Sequence, residues 1–112
     1  MSNTEKIFEA LSSTTRRKIL AYLSESPLPA GDIAKRFDMS APAISKHLSI
    51  LEASGLVWKR REGQFVLYGM EQDNLSGTLL SYLQEVCPVS RNLKSESSKR
   101  VAVKKKMARK GS

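Results

Sequence analysis

The sequence predicts a mainly α-helical fold with one small β-hairpin, in the order α1-α2-α3-α4-β-β-α5. Two observations support this fold class. Apolar residues recur at helical spacing in five segments, and Ser, Pro, Gly or Asn residues lie at the segment ends. Between the fourth and fifth segments, residues 56–61 and 65–70 are instead rich in β-branched and aromatic residues and flank a glycine turn.

The first helix is expected over about residues 4–11, a length that is too short to be stable in isolation. A second helix starts after Ser13 and runs to about Ser24, and the prolines that follow end it. Arg16 and Arg17 lie at its start, where the dipole of that helix does not favour cations. These two arginines are therefore either structural pairing groups or contacts to a nucleic-acid backbone.

A tight turn is expected to join a third helix, at about 30–37, to a fourth helix that covers about 41–54. Ser40 ends the turn and can cap the fourth helix with its hydroxyl. Pro42 falls in the first turn, where its missing N–H costs nothing, and Gly55 suits the left-handed position after the helix. Helix, turn, helix and hairpin together predict a winged helix-turn-helix.

The hairpin and the last helix complete the predicted domain. Both faces of the second strand are apolar, so the sequence leaves open which face lies inward. The last helix is expected over about 73–86, and Pro88 closes it. Its apolar residues are Leu75, Leu79, Leu80, Leu83 and Val86.

Charge divides the chain at residue 87. Residues 1–87 hold ten Lys or Arg and ten Asp or Glu, whereas residues 88–112 hold nine Lys or Arg against Glu96 alone. The second segment therefore carries the whole net charge of +8, and its Ser- and Lys-rich composition predicts a disordered basic tail. Within the neutral segment, residues 35–61 have a local excess of positive charge that favours a polyanionic partner.

Composition argues against several classes of protein. One cysteine, Cys87, allows no intrachain disulfide, and with one histidine it cannot complete a zinc site. No apolar run approaches the roughly 18 residues of a membrane span, and the N-terminus lacks the apolar core of a signal peptide. We expect a cytoplasmic protein that is not an enzyme, because no phosphate-binding glycine loop or nucleophile–base pair is recognisable.

The fourth helix carries the candidate DNA-binding surface. A count of about 100° per residue puts its apolar stripe on one side and a narrow face of Pro, Ser and Lys on the other. The major groove of DNA admits a helix whose outward side chains are short or reach base edges and phosphates. The candidates on this helix and its cap are Ser40, Ala41, Pro42, Ser45, Lys46, His47 and Ser49.

The hairpin adds Lys59, Arg60 and Arg61 beside its turn, and Gln64 lies in the turn itself. A single lysine is as often a solvated charge, but several cations on one side favour phosphate binding. His47 is either a half-buried structural residue or a contact to DNA. The sequence thus indicates a DNA-binding protein, with a protein-interaction module as the alternative.

Three stretches of the chain resemble the ArsR/SmtB family of bacterial winged-helix repressors: FEALSSTTRRKILAYL, AGDIAKRFDMSAPAISKHLSILEASGLV and KRREGQFVLYGM. The resemblance covers about residues 5–86 and implies a homodimer that places its fourth helices in successive major grooves of a palindromic operator. It is greatest to the metal-independent, SdpR-like autorepressors, which implies repression of the chain's own promoter. The inducing signal is not implied.

The resemblance also implies a dimer interface between first and last helices. Its candidate residues are Ile7, Phe8, Leu11, Leu79, Leu80 and Leu83. The Cys-x-Cys pair and the last-helix Asp, His and Glu ligands of the family's metal sensors are absent from this sequence, so we expect no metal and no cofactor. Cys87 is then either a redox sensor near the dimer axis or an inert helix-end thiol.

Overall fold

The computed structural model describes residues 3–87. Its elements are α1 (Asn3–Leu11), α2 (Thr14–Leu23), β1 (Leu28–Pro29), α3 (Ala30–Lys35), α4 (Ala41–Ala53), β2 (Val57–Glu62), β3 (Phe65–Met70) and α5 (Gln72–Val86). The five predicted helices and the hairpin are confirmed. The predicted disordered tail, 88–112, lies outside the described residues.

The helix ends follow local chemistry. The Ser13 hydroxyl accepts the backbone N–H of Arg16 at 3.2 Å, and the Ser40 hydroxyl accepts that of Ala43 at 3.3 Å. These bonds satisfy N–H groups that have no partner within the first turn of a helix. Gly55 follows α4 with φ 81°, a conformation that glycine adopts without steric cost. The predicted Ser40 cap and the left-handed Gly55 are therefore confirmed, and the Ser13 cap is a further one that was not predicted.

A third strand was not predicted. β1 pairs antiparallel with β3, placing Leu28 opposite Tyr68 and Pro29 opposite Leu67, so that the strand order is β1-β3-β2. The prolines of this segment predicted only the end of α2. Two residues are too few to show a period, and proline is tolerated only at the edge of a sheet.

The core lies where the four N-terminal helices meet the base of the hairpin. Its buried members are Ile7, Ala10, Ile19, Leu20, Leu23, Ile33, Ile44, Leu48, Leu51, Leu56 and Val57. Tyr68 and Met70 pack against this core from the face of the hairpin that also carries Val57. The inward face that the sequence left open is thus the one with Val57, Tyr68 and Met70.

The chain divides into two compact units after Ser76, so α5 begins in the first unit and continues in the second. In the first unit, Leu75 packs against the core, and the Asn74 amide donates to the Gly55 carbonyl at 2.7 Å. No residue of α5 is buried. Among residues 3–87, no helix has the length and apolar character to cross a membrane.

Candidate nucleic-acid interface

The α4 helix exposes the face that its sequence period predicted. Ile44, Leu48 and Leu51 are buried in the core, which fixes the rotation of the helix about its axis. The opposite side is open to solvent, and its exposed residues are Ala41, Pro42, Ser45, Lys46, Ser49 and Ala53. Ser40 is exposed just before the helix, where its hydroxyl serves as the N-cap.

The polar groups on this face are not engaged elsewhere in the described part of the chain. The side chains of Ser45, Lys46 and Ser49 make no hydrogen bond or ion pair with any other residue of 3–87. A serine hydroxyl can donate and accept, and a lysine ammonium donates three hydrogen bonds. This face of α4 therefore presents both kinds of hydrogen-bonding group and one positive charge to an incoming partner.

One arginine of α2 links the end of α1 to the side of α4. The Arg16 guanidinium donates through Nε to the Ala10 carbonyl at 2.8 Å and through Nη2 to the Glu9 carbonyl at 3.1 Å. Its Nη1 lies 3.2 Å from Nδ1 of His47. Because a guanidinium can only donate, Nδ1 accepts, and the ring proton of the neutral imidazole lies on Nε2.

The pKa of His47 is lowered from 6.5, first by burial and then by the positive charges of Arg16 and Lys46. Burial disfavours the charged imidazolium, and two neighbouring cations add to that effect. Both the hydrogen bond and the pKa thus favour a neutral ring. His47 is half-buried, as expected for the structural residue that was the first of its two predicted alternatives.

Arg17 contributes to the same helix end. It donates to the Leu11 carbonyl and to the Thr14 hydroxyl, the latter at 3.2 Å. The last turn of α1 has no basic residue of its own, so the two arginines supply positive charge at the negative end of its dipole. Of the two predicted roles for Arg16 and Arg17, structural pairing is the one present in this structure.

Two of the three basic residues of the hairpin are paired with carboxylates. Lys59 Nζ lies 3.8 Å from Glu52 of α4, and Arg60 binds Glu62 with an Nη2–Oε1 distance of 2.6 Å. Arg61 is exposed and has no such partner within residues 3–87. The sequence could not predict these pairings, which reduce the free positive charge of the hairpin.

The hairpin holds its arginine over an aromatic ring. The Arg60 guanidinium carbon lies 5.2 Å from the centroid of Trp58, which is the distance of a cation–π contact. Trp58 lies opposite Gly69 on the neighbouring strand, where a Cβ would overlap the indole ring. Glycine in a strand interior signals such a close approach, so Gly69 is the residue from which this contact could have been predicted.

The turn of the hairpin is open to solvent. Gln64 is exposed beside Gly63, which has φ 61°. Phe65 follows it and is 64% exposed, a high value for a large apolar side chain. Gln64 was among the predicted DNA-binding residues, and Phe65 was not.

The residues predicted for a dimer interface differ in exposure. Ile7 is 0% exposed within the core, so it is corrected to a core residue that offers no surface to a partner. Phe8, Leu80 and Leu83 are exposed, the last two by 47% and 44%. Leu11 and Leu79 are half-buried.

The remaining candidates concern metals and the single thiol. Residues 3–87 contain no group of three or more His, Cys, Asp or Glu that could hold a metal ion. Cys87 is half-buried and free, and its backbone N–H donates to the Leu83 carbonyl at 2.9 Å.

The family model described as bacterial regulatory protein, arsR family, matches residues 13–59. The transcriptional repressor SdpR of Bacillus subtilis is 41% identical over 73 residues, which cover 65% of this chain and 81% of SdpR. The segment that the family model matches contains α2, α3 and α4 and ends at Lys59 within β2.

Solved structures of similar proteins have the same fold. A crystal structure of an ArsR family transcriptional regulator is 32% identical, with a TM-score of 0.69 over 74% of this chain and 84% of its own. A solution structure from Mycobacterium bovis, described as a homodimeric winged helix-turn-helix DNA-binding domain, is 27% identical. Its TM-score is 0.63 over 72% of this chain and 76% of its own.

Proposed function

This chain belongs to the ArsR family of bacterial regulatory proteins, and we propose that it represses transcription by binding an operator as a homodimer. The family consists of transcriptional regulators, which are not enzymes, as the sequence predicted. The observation that supports the proposal most directly is the outer face of α4. Two hydroxyls and one ammonium lie there on a capped helix, exposed to solvent and not engaged by other described residues.

The α4 helix is the element that enters the major groove. Its outward side chains are short, so the helix axis can approach the floor of the groove. Ser45 and Ser49 contact base edges, and Lys46 contacts guanine or phosphate. Ala41 and Pro42, at the start of the helix, pack on thymine methyl groups, while Ser40 fixes the helix start that positions them.

The hairpin binds the DNA backbone beside the groove. Arg61 supplies the hairpin cation that has no carboxylate partner within residues 3–87, and Lys59 and Arg60 exchange their exposed carboxylate partners for phosphates. Such exchange costs little, because exposed ion pairs contribute only about 0–1 kcal/mol. Gln64 reaches the backbone from the turn.

A homodimer presents two copies of α4 to the operator. The Mycobacterium bovis relative is described as homodimeric, and exposed apolar residues on α1 and α5 of this chain suit the same assembly. Phe8, Leu80 and Leu83 supply exposed surface, with Leu11 and Leu79 beside them in sequence. Twofold symmetry then places the half-sites about 34 Å apart, which is one turn of DNA.

We assign residues 1–87 to DNA binding and dimerisation and residues 88–112 to non-specific phosphate contacts. The second segment carries nine basic residues and one acidic residue, a composition that suits contacts with phosphates of any sequence. A solubilising extension is the alternative. Because a bacterial operator lies on the chromosome, the protein acts in the cytoplasm.

Selection from random duplex DNA tests the proposal. The wild-type protein should enrich an imperfect palindrome with half-sites about one helical turn apart. A footprint on DNA upstream of its own gene then tests autorepression. Lys46→Ala should weaken binding and lower the salt dependence, whereas Lys6→Ala, at an exposed lysine of α1, should change neither. A stable monomer, or no association at low salt, would contradict the proposal.

A protein-interaction module is the second candidate function. The pairing of Lys59 with Glu52 and of Arg60 with Glu62 favours it, because it leaves less free positive charge on the hairpin. This candidate predicts no salt-dependent affinity for DNA and no footprint.

A thiol response is a separate part of the proposal. If Cys87 senses oxidants, an oxidant should change operator affinity of the wild type and leave Cys87→Ser unaffected. Equal affinity of both proteins under oxidation would identify Cys87 as an inert thiol.

A further inference from the structure

The His47 ring has one engaged nitrogen and one free nitrogen. Nδ1 accepts from Arg16, while Nε2 has no hydrogen-bond partner in residues 3–87. The described part of the chain contains no buried side-chain nitrogen that lacks a partner, so Nε2 is open to solvent. With the ring proton on Nε2, the flank of α4 presents a neutral N–H donor to solvent.

We propose that Arg16 is a positioning residue for DNA binding, which fixes His47 so that Nε2–H donates to a phosphate oxygen at the edge of the major groove. This inference rests on the proposed function, because it assumes that α4 enters the groove. Arg16 of α2 would then support DNA binding indirectly, because it holds Nδ1 of the ring while Nε2 meets the phosphate.

The position of His47 on α4 favours a phosphate over a base. The ring is on the flank of the helix, between the buried stripe and the outer face that carries Lys46 and Ser49. Residues on the flank of a groove-binding helix meet the sugar–phosphate backbone, whereas the outermost residues meet base edges. A neutral donor is sufficient here, because backbone contacts from uncharged groups also fix register on the duplex.

Arg16 can fix the ring because it is itself held at two other points. Its Nε and Nη2 atoms donate to carbonyls at the end of α1, at 2.8 and 3.1 Å, so the planar guanidinium has a defined orientation. Arg17 binds the same end of α1 and makes no hydrogen bond with His47 in the described part of the chain. The two arginines therefore form a matched pair for experiment.

The first test reads the tautomer directly. His47 is the only histidine, so its two ring nitrogens can be assigned without ambiguity in a ¹⁵N-labelled full-length protein. Long-range ¹H–¹⁵N correlation should find Nε2 protonated and Nδ1 unprotonated in the wild type and in Arg17→Lys. In Arg16→Lys, which loses the fork of donors, the tautomers should mix. A protonated Nδ1 in the wild type, or an unchanged tautomer in Arg16→Lys, would overturn the inference.

The second test separates the two ring nitrogens by substitution. His47→Asn retains an acceptor near the position of Nδ1 but has no group at Nε2, whereas the longer side chain of His47→Gln places an amide N–H near Nε2. On the duplex enriched by the wild type, the Asn variant should lose about tenfold to a hundredfold in affinity, and the Gln variant should retain most of it. Equal losses would indicate a structural role only, and no loss in either would exclude the contact.

Salt dependence distinguishes this contact from a charged one. Because Nε2–H is neutral, His47→Asn should leave the slope of log affinity against log salt unchanged, whereas Lys46→Ala should lower it by about 1. A lowered slope in His47→Asn would overturn the inference. If the wild type enriched no duplex, the proposed function would fail. The tautomer measurement would still test whether Arg16 fixes the His47 ring.

Discussion

The guanidinium of Arg16 lies 3.2 Å from Nδ1 of His47 and at the same time donates to the Ala10 and Glu9 carbonyls. A single side chain thus joins the C-terminal end of α1 to the flank of α4. In the proposed dimer α1 contributes to the subunit interface and α4 contacts DNA. Three donors of one guanidinium thus link the helix end at the proposed subunit interface to the helix that is proposed to contact DNA.

This contact predicts how stability depends on pH. The pKa of His47 is lowered from 6.5 by burial and by Arg16 and Lys46, so the folded state binds fewer protons than the unfolded state. As pH falls below about 6.5, the unfolded state takes up protons first and is stabilised. The contribution of His47 should therefore be full above about pH 6.5 and decrease as pH falls through the folded-state pKa.

Urea unfolding of the wild type and His47→Asn between about pH 7.5 and pH 5 measures this contribution. The variant keeps an acceptor for Arg16 but does not titrate. The wild type should lose more unfolding free energy than the variant on acidification. A wild type that gained stability relative to the variant at low pH would contradict the sign of the pKa change.

Local signals made most of this fold predictable. Three residues mark the ends of α4 where the sequence placed them: the Ser40 cap, Pro42 in the first turn and Gly55 after the last turn. Each of these signals depends only on neighbouring backbone atoms. The outward face of α4 follows from a period of 3.6 residues, which needs no tertiary information. Sequence therefore predicts element ends and exposed faces well.

Partners that come from distant segments could not be predicted. β1 exists because Leu28 and Pro29 meet β3, and neither residue carries a local strand signal. Arg16 of α2 and Lys59 of β2 have partners on α4, so the assignment of these contacts required the packed structure. Ile7 was predicted for the dimer interface because it belongs to an apolar stripe of α1. Such a stripe does not indicate whether the core of the same chain or a second chain covers it.

Two serines of α4 should differ from other surface serines in DNA specificity. Ser45→Ala or Ser49→Ala should cost about 1–3 kcal/mol at one base position and leave binding to other sequences nearly unchanged, because a hydroxyl on a base edge carries sequence information. Ser26→Ala, an exposed serine outside α4, is the control. Titrations against operators with single base changes measure the effect. Uniform loss across all duplexes would assign these serines to the backbone instead.

The two arginines of the hairpin should contribute unequally. Arg61→Ala should weaken binding to all duplexes and lower the salt slope by about 0.9, because it removes a free cation. Arg60→Ala should weaken binding broadly but less, since Arg60 is neutralised by Glu62 in the free protein. Affinities measured over a range of salt concentrations compare the two. A larger loss of slope for Arg60→Ala would mean that the Glu62 pair is not retained in solution.

Gly69→Ala should displace the Trp58 ring. A Cβ at Gly69 would overlap the indole, so the ring must move or the strands must separate, at a cost of about 1–3 kcal/mol. Trp58 is the only tryptophan, and its fluorescence should shift to longer wavelength as the ring becomes exposed. Gly31→Ala, where a Cβ meets no atom within 4 Å, should not change the spectrum. An unchanged spectrum and stability in Gly69→Ala would contradict the predicted close approach.

Removal of residues 88–112 should weaken DNA binding without changing its sequence preference. This segment has a net charge of +8, and none of the predicted base-contacting residues lies in it. Its contribution to binding should therefore be the release of counterions from phosphates. A protein ending at Cys87 should bind the operator and an unrelated duplex more weakly by the same factor, and the salt slope should fall for both. Titrations of each duplex with full-length and shortened protein provide the comparison. A selective loss at the operator would instead place part of the specificity in the tail, and equal affinities would make the segment a solubilising extension.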